Sequence, residues 1–196
     1  MRTAKLLALL GLGAMLTGCL GGGGSLRPLY TDENVIFDPL LVGEWQETGS
    51  READRWTFAK GQDKAYTVTA RWKTEEGKTK PIAYEAHLVS LGMYTFLDTY
   101  PAPTEADKKV IEQYHYAGLH QQWLVKREKD TLRVATLNED WLDAQVLEGE
   151  IRPRVAVLEQ GASVLIDPTR ELQKFLLHAA ADRDAFEDFV VLKRVK

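Results

Sequence analysis

From residue 54 onward, several runs of the chain alternate apolar and polar positions with a period of two. Trp56 and Phe58 lie in one such run, and Tyr66 to Trp72 in the next, with Gly61-Gln62-Asp63 between them. Successive side chains on a strand point to opposite sides of a sheet, so this period is typical of strands with one buried face. The polar break between the two runs predicts a hairpin.

Further runs of the same kind continue to the end of the chain. They predict strands over Ile82–Leu88, Met93–Leu97, Leu119–Val125, Leu132–Thr136, Arg154–Leu158, Ser163–Ile166 and Phe189–Val195. Strands at a spacing of roughly ten residues favour an antiparallel meander or barrel. We therefore predict a mainly β protein, an antiparallel meander barrel with two or three short helices, whose final strand pairs back with the first.

Three segments have helical signals. Thr104 and Asn138 are candidate N-caps of short helices, and the helix after Asn138 is predicted to run through Glu148. The best helix begins near Thr169 and has one apolar face. That face consists of Leu172, Phe175, Leu176 and Ala179. The insertion that contains Thr104 either covers a barrel mouth as a lid or packs as a surface loop.

The N-terminus carries a targeting signal. Arg2 and Lys5 precede an apolar run from Leu6 to Leu16, which is shorter than the about 20 residues that span a bilayer. It has the length of a signal-peptide core. The run ends in Leu16-Thr17-Gly18-Cys19, which contains the only cysteine of the chain.

These four residues resemble the lipobox of bacterial lipoproteins. The resemblance implies cleavage between Gly18 and Cys19, diacylglycerol on the thiol and an acyl chain such as palmitate on the new amine. Leu20, in place of an aspartate, favours the outer membrane, facing the periplasm. An ordinary secretory peptide with an incidental cysteine is the alternative. We predict a signal peptide over 1–18, a lipidated Cys19 with a flexible linker over 19–34, and one barrel-like domain over 35–196.

The net charge of the mature chain argues against nucleic acid as a partner. Loss of the signal peptide removes two of 25 basic residues and none of 29 acidic ones, leaving a net charge of −6. An acidic chain without a basic patch is a poor partner for nucleic acid. The expected partners are the membrane, through the lipid on Cys19, and either an apolar small molecule or an envelope protein.

The segment that opens the barrel contains Gly43-Glu44-Trp45. It resembles the Gly-x-Trp start of lipocalins, and Leu97-Asp98-Thr99-Tyr100 loosely resembles their Thr-Asp-x-x-Tyr. The resemblance implies a lipocalin-like barrel in which Trp45 closes one end and an arginine of the last strand packs across its ring. Arg194 is the position that matches this arginine. The family fold also implies an interior cavity for an apolar ligand.

A set of aromatic residues follows the register that we predict to face inward. It comprises Trp56, Tyr66, Trp72, Tyr84, Phe96 and Trp123, together with the polar Gln121. Two interpretations compete: the set fills a solid core, or it lines a ligand cavity. Gln121 on the same face as Trp123 favours a wet or ligand-filled interior.

Candidate catalytic chemistry is sparse. The chain has four histidines, and the spacing of His115 and His120 does not predict a metal site. No nucleophile elbow or phosphate-binding loop is present, and we expect no cofactor and no catalytic residue. Asp98 either shares a pocket with His87, as an acid–base pair would, or caps the turn at Pro101.

The sequence thus predicts a non-enzymatic, lipid-anchored envelope protein that binds an apolar ligand in its barrel. The alternative is a structural or interaction lipoprotein with a filled core and an apolar surface patch near Tyr114–Tyr116. A cluster of His87, Asp98 and a second histidine in a cleft would favour an enzyme.

Substitution Cys19→Ser tests the lipidation site. We expect an unlipidated precursor that fractionates away from the membrane, because the thiol is the attachment point. Mass spectrometry and membrane fractionation report this directly. A variant with unchanged mass and fractionation would rule out the lipoprotein assignment.

Overall fold

The computed structural model describes most of the chain after the predicted signal and tether. The described ranges are 24–49, 55–73, 79–102, 118–149, 151–158, 163–186 and 188–195, without the side chains of 72, 73, 79 and 80. Cys19 and the helix predicted after Thr104 lie outside these ranges, as does the expected patch near Tyr114–Tyr116.

Eleven strands and two α-helices lie in the described residues. The strands are β1 (Val35–Ile36), β2 (Gly43–Glu47), β3 (Arg55–Lys60), β4 (Ala65–Lys73), β5 (Thr79–Leu91), β6 (Tyr94–Pro101), β7 (Gln121–Glu128), β8 (Thr131–Thr136), β9 (Val155–Val157), β10 (Ser163–Leu165) and β11 (Val190–Arg194). The helices are α1 (Glu139–Glu148) and α2 (Thr169–Ala181), and a 3-10 turn covers Pro39–Leu41.

Within the described part, eight strands form a closed antiparallel barrel. β2 to β8 pair with one another in chain order as a meander, which includes the pairing of β5 with β6. β11 lies between β8 and β2 and closes the ring. The predicted return of the last strand to the first is confirmed: Arg194 is opposite Trp45 in this pairing. β9 and β10 form a separate hairpin.

The meander gives the barrel two distinct ends. The lower end carries the β3–β4, β5–β6 and β7–β8 turns, and the upper end carries the connections β2–β3, β4–β5 and β6–β7 and the long insertion before β11. At the lower end Gly92 has a φ of +56° in the two-residue turn between β5 and β6. Side chains other than glycine rarely adopt this conformation, which fixes the register of that hairpin.

A cluster of apolar side chains fills the lower interior. Its members are Leu41, Trp45, Phe58, Tyr66, Val68, Ala86, Leu88, Leu97, Leu132, Val134 and Leu192. Trp45 is completely buried, and its Nε1 donates a hydrogen bond of 2.9 Å to the carbonyl of Leu41. The sequence pattern therefore placed the inward face of these strands correctly, with β6 as the exception.

Arg194 packs across the ring of Trp45, as the lipocalin resemblance implied. Its guanidinium carbon lies 4.4 Å from the ring centroid, and the group donates to the carbonyls of Val42, at 3.0 Å, and Leu40. A Cβ on Gly43 would lie 2.5 Å from Nη1 of Arg194, so only glycine leaves room for this stack. Such a cation–π contact stabilises by about 0.5–2 kcal/mol.

A second core lies outside the barrel wall. The face of α2 predicted to be apolar is buried there, against strand residues that include Val89, Phe96, Leu124 and Ala135. Asn138 caps α1 as predicted, since its Oδ1 accepts a hydrogen bond from the Trp141 amide. The helices thus cover one side of the barrel and leave its interior to the strands.

The folded part begins earlier than the predicted linker would allow. Residues 24–34, here called the strap, lie across the outer wall, and Ser25 and Leu29 are completely buried. Ser25 forms β-bridges with both His120 and Leu165. The local sequence of residues 24–34 does not indicate these pairings, because the partners of the strap come from distant segments.

Substitution Trp45→Ala tests the closure of the lower end. Loss of a completely buried indole leaves a cavity and an unstacked Arg194, so we expect the free energy of unfolding to fall by about 3–5 kcal/mol. Chemical denaturation measures the change. Met93→Ala, at a side chain that is 88% exposed, should change it by less than about 0.5 kcal/mol. A loss below about 1 kcal/mol at Trp45 would contradict its role in closing the barrel.

Candidate functional site

The upper interior brings together four members of the predicted aromatic and polar set. Trp56, Tyr84 and Trp123 are partly buried beside the interior cluster, and Gln121 precedes Trp123 by two residues on the same face of β7. Their counterparts in the lower half are completely buried. These four side chains of the upper half are therefore less completely buried than the side chains of the lower half.

Trp56 and Trp123 meet across the barrel. They belong to β3 and β7, which lie on opposite sides of the ring of strands, yet their ring centroids are 5.6 Å apart at an interplanar angle of 89°. This edge-to-face geometry is favourable for aromatic pairs. This pair packs against the interior cluster, and we call it the aromatic floor of the upper interior.

Tyr66 belongs to the cluster that fills the lower interior rather than to the upper interior. Its hydroxyl accepts a hydrogen bond of 2.7 Å from the amide of Asp38 and donates one of 3.0 Å to the carbonyl of the same residue. Phe37 stacks on its ring at 4.9 Å. Burial raises the pKa of the Tyr66 hydroxyl, so it remains a neutral donor that fastens this segment under the barrel.

Phe96 does not face the barrel interior with the other members of the predicted set. It lies in the outer core, where its ring is 6.2 Å from that of Phe186, while Leu97 faces the interior. The prediction was wrong because β6 is buried on both faces, so its apolar residues do not alternate. The side chain of Trp72 lies outside the described residues, and its position in β4 continues the register of Tyr66.

Polar groups of the upper interior are mostly paired. Trp123 Nε1 donates to the hydroxyl of Thr99 at 3.1 Å, and that hydroxyl donates to the carbonyl of Gln121 at 3.3 Å. The side-chain Nε2 of Gln121 is buried without a hydrogen-bond partner in the structure. Sequence reasoning placed Gln121 inside but missed Thr99, which the register of β6 opposite Gln121 brings to the same point.

A second polar group lies on the outer wall beneath the strap. Asp98 is 1% exposed, and its carboxylate accepts a hydrogen bond of 2.5 Å from the Leu29 amide and lies 2.7 Å from Nδ1 of His120. His87 is opposite Asp98 on β5. Asp98 therefore holds the strap, and its predicted role as the cap of the turn at Pro101 is wrong.

The cluster of His87, Asp98 and His120 is packed with aromatic rings. Tyr30 of the strap stacks on His87 with centroids 3.8 Å apart, and Tyr100 lies 4.7 Å from His120. Both histidines are largely buried, at 15% and 12% side-chain exposure. The predicted meeting of Asp98 with His87 is confirmed, but the carboxylate oxygens are engaged by the strap amide and by His120. These contacts hold the strap against the outer wall of the barrel.

Burial lowers the pKa of His87, an effect that the nearby His120 reinforces and that Glu85 and Asp98 oppose. Burial also raises the pKa of Tyr30, with smaller contributions from Asp98 and Glu85. Both shifts favour the neutral forms of the stacked pair. Across the part of the chain that the structure describes, no three acidic, histidine or cysteine side chains are placed to hold a metal ion.

The lowered pKa of His87 predicts a pH dependence of stability. The unfolded chain, with the ordinary value of 6.5, takes up the proton first as the pH falls, so the free energy of unfolding should decrease as the pH is lowered through 6.5. His87→Gln should flatten this slope. Both proteins are compared at about pH 8, where His87 is neutral and only packing differs. Equal slopes in denaturation series would contradict the assignment.

Comparison with known proteins does not indicate a function for the barrel, so its function is inferred from its own residues. No protein-family model matches the chain, and no curated protein and no solved structure matches it either. None of the helices in the described ranges is long and apolar enough to cross a membrane. The upper interior, with its aromatic floor and buried amide, is the candidate site.

Proposed function

We propose that this protein is an exported lipoprotein, anchored through lipid on Cys19, that binds an apolar ligand in the upper half of its barrel. The observation that carries the proposal is the contrast within the interior. The lower half is sealed by completely buried residues such as Trp45 and Phe58. The upper half presents partly exposed aromatic faces, Trp56, Tyr84 and Trp123, on inward positions. Apolar surface of this kind favours burial by a ligand.

The position of the strap supports delivery from a membrane. Ser25 pairs with His120, just before β7 begins at the upper end of the barrel. Five residues lead from Cys19 to Gly24, and at about 3.6 Å per residue they span no more than about 18 Å. A lipid on Cys19 would keep the mouth of the barrel close to the bilayer, which is the main source of apolar molecules in an envelope.

A second candidate function is supported by a different surface. Leu147 at the end of α1 is 71% exposed and Val157 of β9 is 68% exposed, with Ile151 and Leu158 close to them in sequence. Exposed apolar side chains concentrated in one part of a chain are typical of interaction surfaces. A structural lipoprotein that binds an envelope protein through this region is the alternative to ligand binding.

Native mass spectrometry separates the two functions. The unlipidated mature chain, residues 20–196, keeps every described residue and is mixed with an extract of envelope lipids. We expect a retained small-molecule mass that is lost on denaturation. A bare mass after this exposure would contradict ligand binding and leave the interaction surface as the better hypothesis.

A matched pair of tryptophan variants locates the site. Trp56→Ala removes part of the aromatic floor, and we expect the affinity for the retained ligand to fall about tenfold, or about 1.4 kcal/mol. Trp141→Ala removes an indole of the outer core instead and should leave the affinity unchanged. Equal effects of the two variants would place the ligand elsewhere.

A further inference from the structure

An open cavity of about 360 Å³ lies at the lower end of the barrel, between the 3-10 turn and the β7–β8 turn. Its charged wall consists of Arg127, Lys129, Asp130 and Arg194. Three of these four side chains are basic, although the chain without its signal peptide has a net charge of −6. A concave surface dominated by one sign of charge concentrates ions of the opposite sign. The cavity is therefore a candidate site for an anion.

The β7–β8 turn brings Lys129 to this cavity at a conformational cost. Lys129 has a φ of +46°, in the left-handed region that glycine and asparagine adopt more readily than lysine. The turn is held against the last strand, because the Arg194 amide donates a hydrogen bond of 3.0 Å to the carbonyl of Asp130. Lys129 thus adds a cation to the wall at a position where the backbone favours other residues.

Arg127 and Lys129 have hydrogen-bond donors that the protein does not use. Arg127 Nε donates to Oδ2 of Asp38 at 2.9 Å, and its two Nη groups have no hydrogen-bond partner in the described part of the chain. Nζ of Lys129 has no partner among the described residues either. The planar guanidinium group can bind two oxygens of one anion side by side, and an ammonium group adds a point charge.

The fixed charges of the wall accommodate one negative charge. Asp38 compensates Arg127 through the hydrogen bond described above. Nε of Arg194 lies 3.7 Å from Oδ1 of Asp130, which is longer than a hydrogen bond, and the Asp130 side chain is 75% exposed. The three cations outnumber these two carboxylates by one. A monoanion would therefore neutralise the wall.

The size of the cavity and its apolar wall indicate which monoanion fits. The volume of about 360 Å³ lies within the range of about 300–1,000 Å³ that small-molecule sites have, and a bare ion would leave most of it empty. Pro39, Leu40 and Val42 form the rest of the lining, and Leu40 is exposed. A phosphodiester shares one negative charge between two oxygens, which suits the guanidinium group of Arg127. Its ester substituents would fill the space beside the apolar wall.

We propose that this cavity binds a phosphodiester, whose charged oxygens accept hydrogen bonds from Arg127 and Lys129 while an ester substituent contacts Leu40. Two sources supply this chemical group, a soluble glycerophosphodiester and the head group of an anionic phospholipid. The site lies at the opposite end of the barrel from the upper interior. The proposal therefore does not depend on the apolar ligand proposed there.

Calorimetric titration of the unlipidated mature chain, residues 20–196, tests the site. Glycerophosphoglycerol is the soluble probe, and dihexanoyl phosphatidylglycerol below its micellar concentration is the lipid probe. We expect both to bind, and to bind more weakly at raised ionic strength because salt screens the charges. Glycerate, a carboxylate with a single substituent, should bind about tenfold more weakly than glycerophosphoglycerol.

Substitution Lys129→Asn removes the ammonium group and introduces a residue that adopts the left-handed turn readily, so the hairpin is retained. The affinity for both phosphodiesters should fall about three- to tenfold, as expected for one charged hydrogen bond at a partly exposed site. Lys64→Asn is the matched control. Lys64 lies in the β3–β4 turn at the same end of the barrel, and its Nζ donates to the carbonyl of Val35. This variant removes the same charge and should leave both affinities unchanged.

Substitution Trp56→Ala separates this site from the upper interior, which the acyl chains of the lipid probe could also enter. We expect it to leave both phosphodiester affinities unchanged. Lipid binding that falls in Trp56→Ala but not in Lys129→Asn would overturn the phosphodiester site while supporting the ligand proposed for the upper interior.

The remaining outcomes are distinct. Absence of binding by both phosphodiesters, binding of glycerate as tight as that of glycerophosphoglycerol, or an equal loss of affinity in Lys129→Asn and Lys64→Asn would overturn the inference. A loss confined to Lys129→Asn supports it. In that case, equal affinities of the two phosphodiesters identify the charged group alone as the recognised feature, whereas tighter binding of the lipid assigns the site to phospholipid head groups.

Discussion

The stack of Arg194 on Trp45 joins the last strand of the barrel to the first. It occurs where β11 pairs with β2, at the pairing that closes the sheet between the last and first strands of the barrel. Gly43 makes room for the guanidinium group, and the hydrogen bonds of Arg194 tie the turn before β2 to the same point. The completely buried residues around this stack, such as Trp45 and Leu192, close the lower end of the interior.

The interior cluster and the outer core stabilise different parts of the fold. The interior cluster sets the shape of the barrel, while the outer core attaches α1, α2 and the strap to one side of its wall. β6 belongs to both, since it is buried on both faces. Asp98, on the outer face of this strand, is the polar group that fixes the strap. The helices therefore stabilise the wall without occupying the interior.

Most of the barrel could be predicted from the sequence because its strands have one buried and one polar face. The same alternation identified Trp56, Tyr84, Gln121 and Trp123 as inward residues. It failed at Phe96, where a second layer buries the outer face and removes the alternation. The local sequence pattern also could not predict the role of Asp98. Its partners, Leu29 and His120, come from distant segments that only the folded barrel brings together.

The attachment of the strap has a mechanical consequence. Ser25 exchanges two main-chain hydrogen bonds with His120, and the adjoining Gly24 and Leu26 bond Leu165 on the other side. A pull on the start of the chain therefore loads several hydrogen bonds between neighbouring strands at once. Such a clamp transmits force to the barrel wall as a whole, so the domain would resist peeling open from the first residues of the strap.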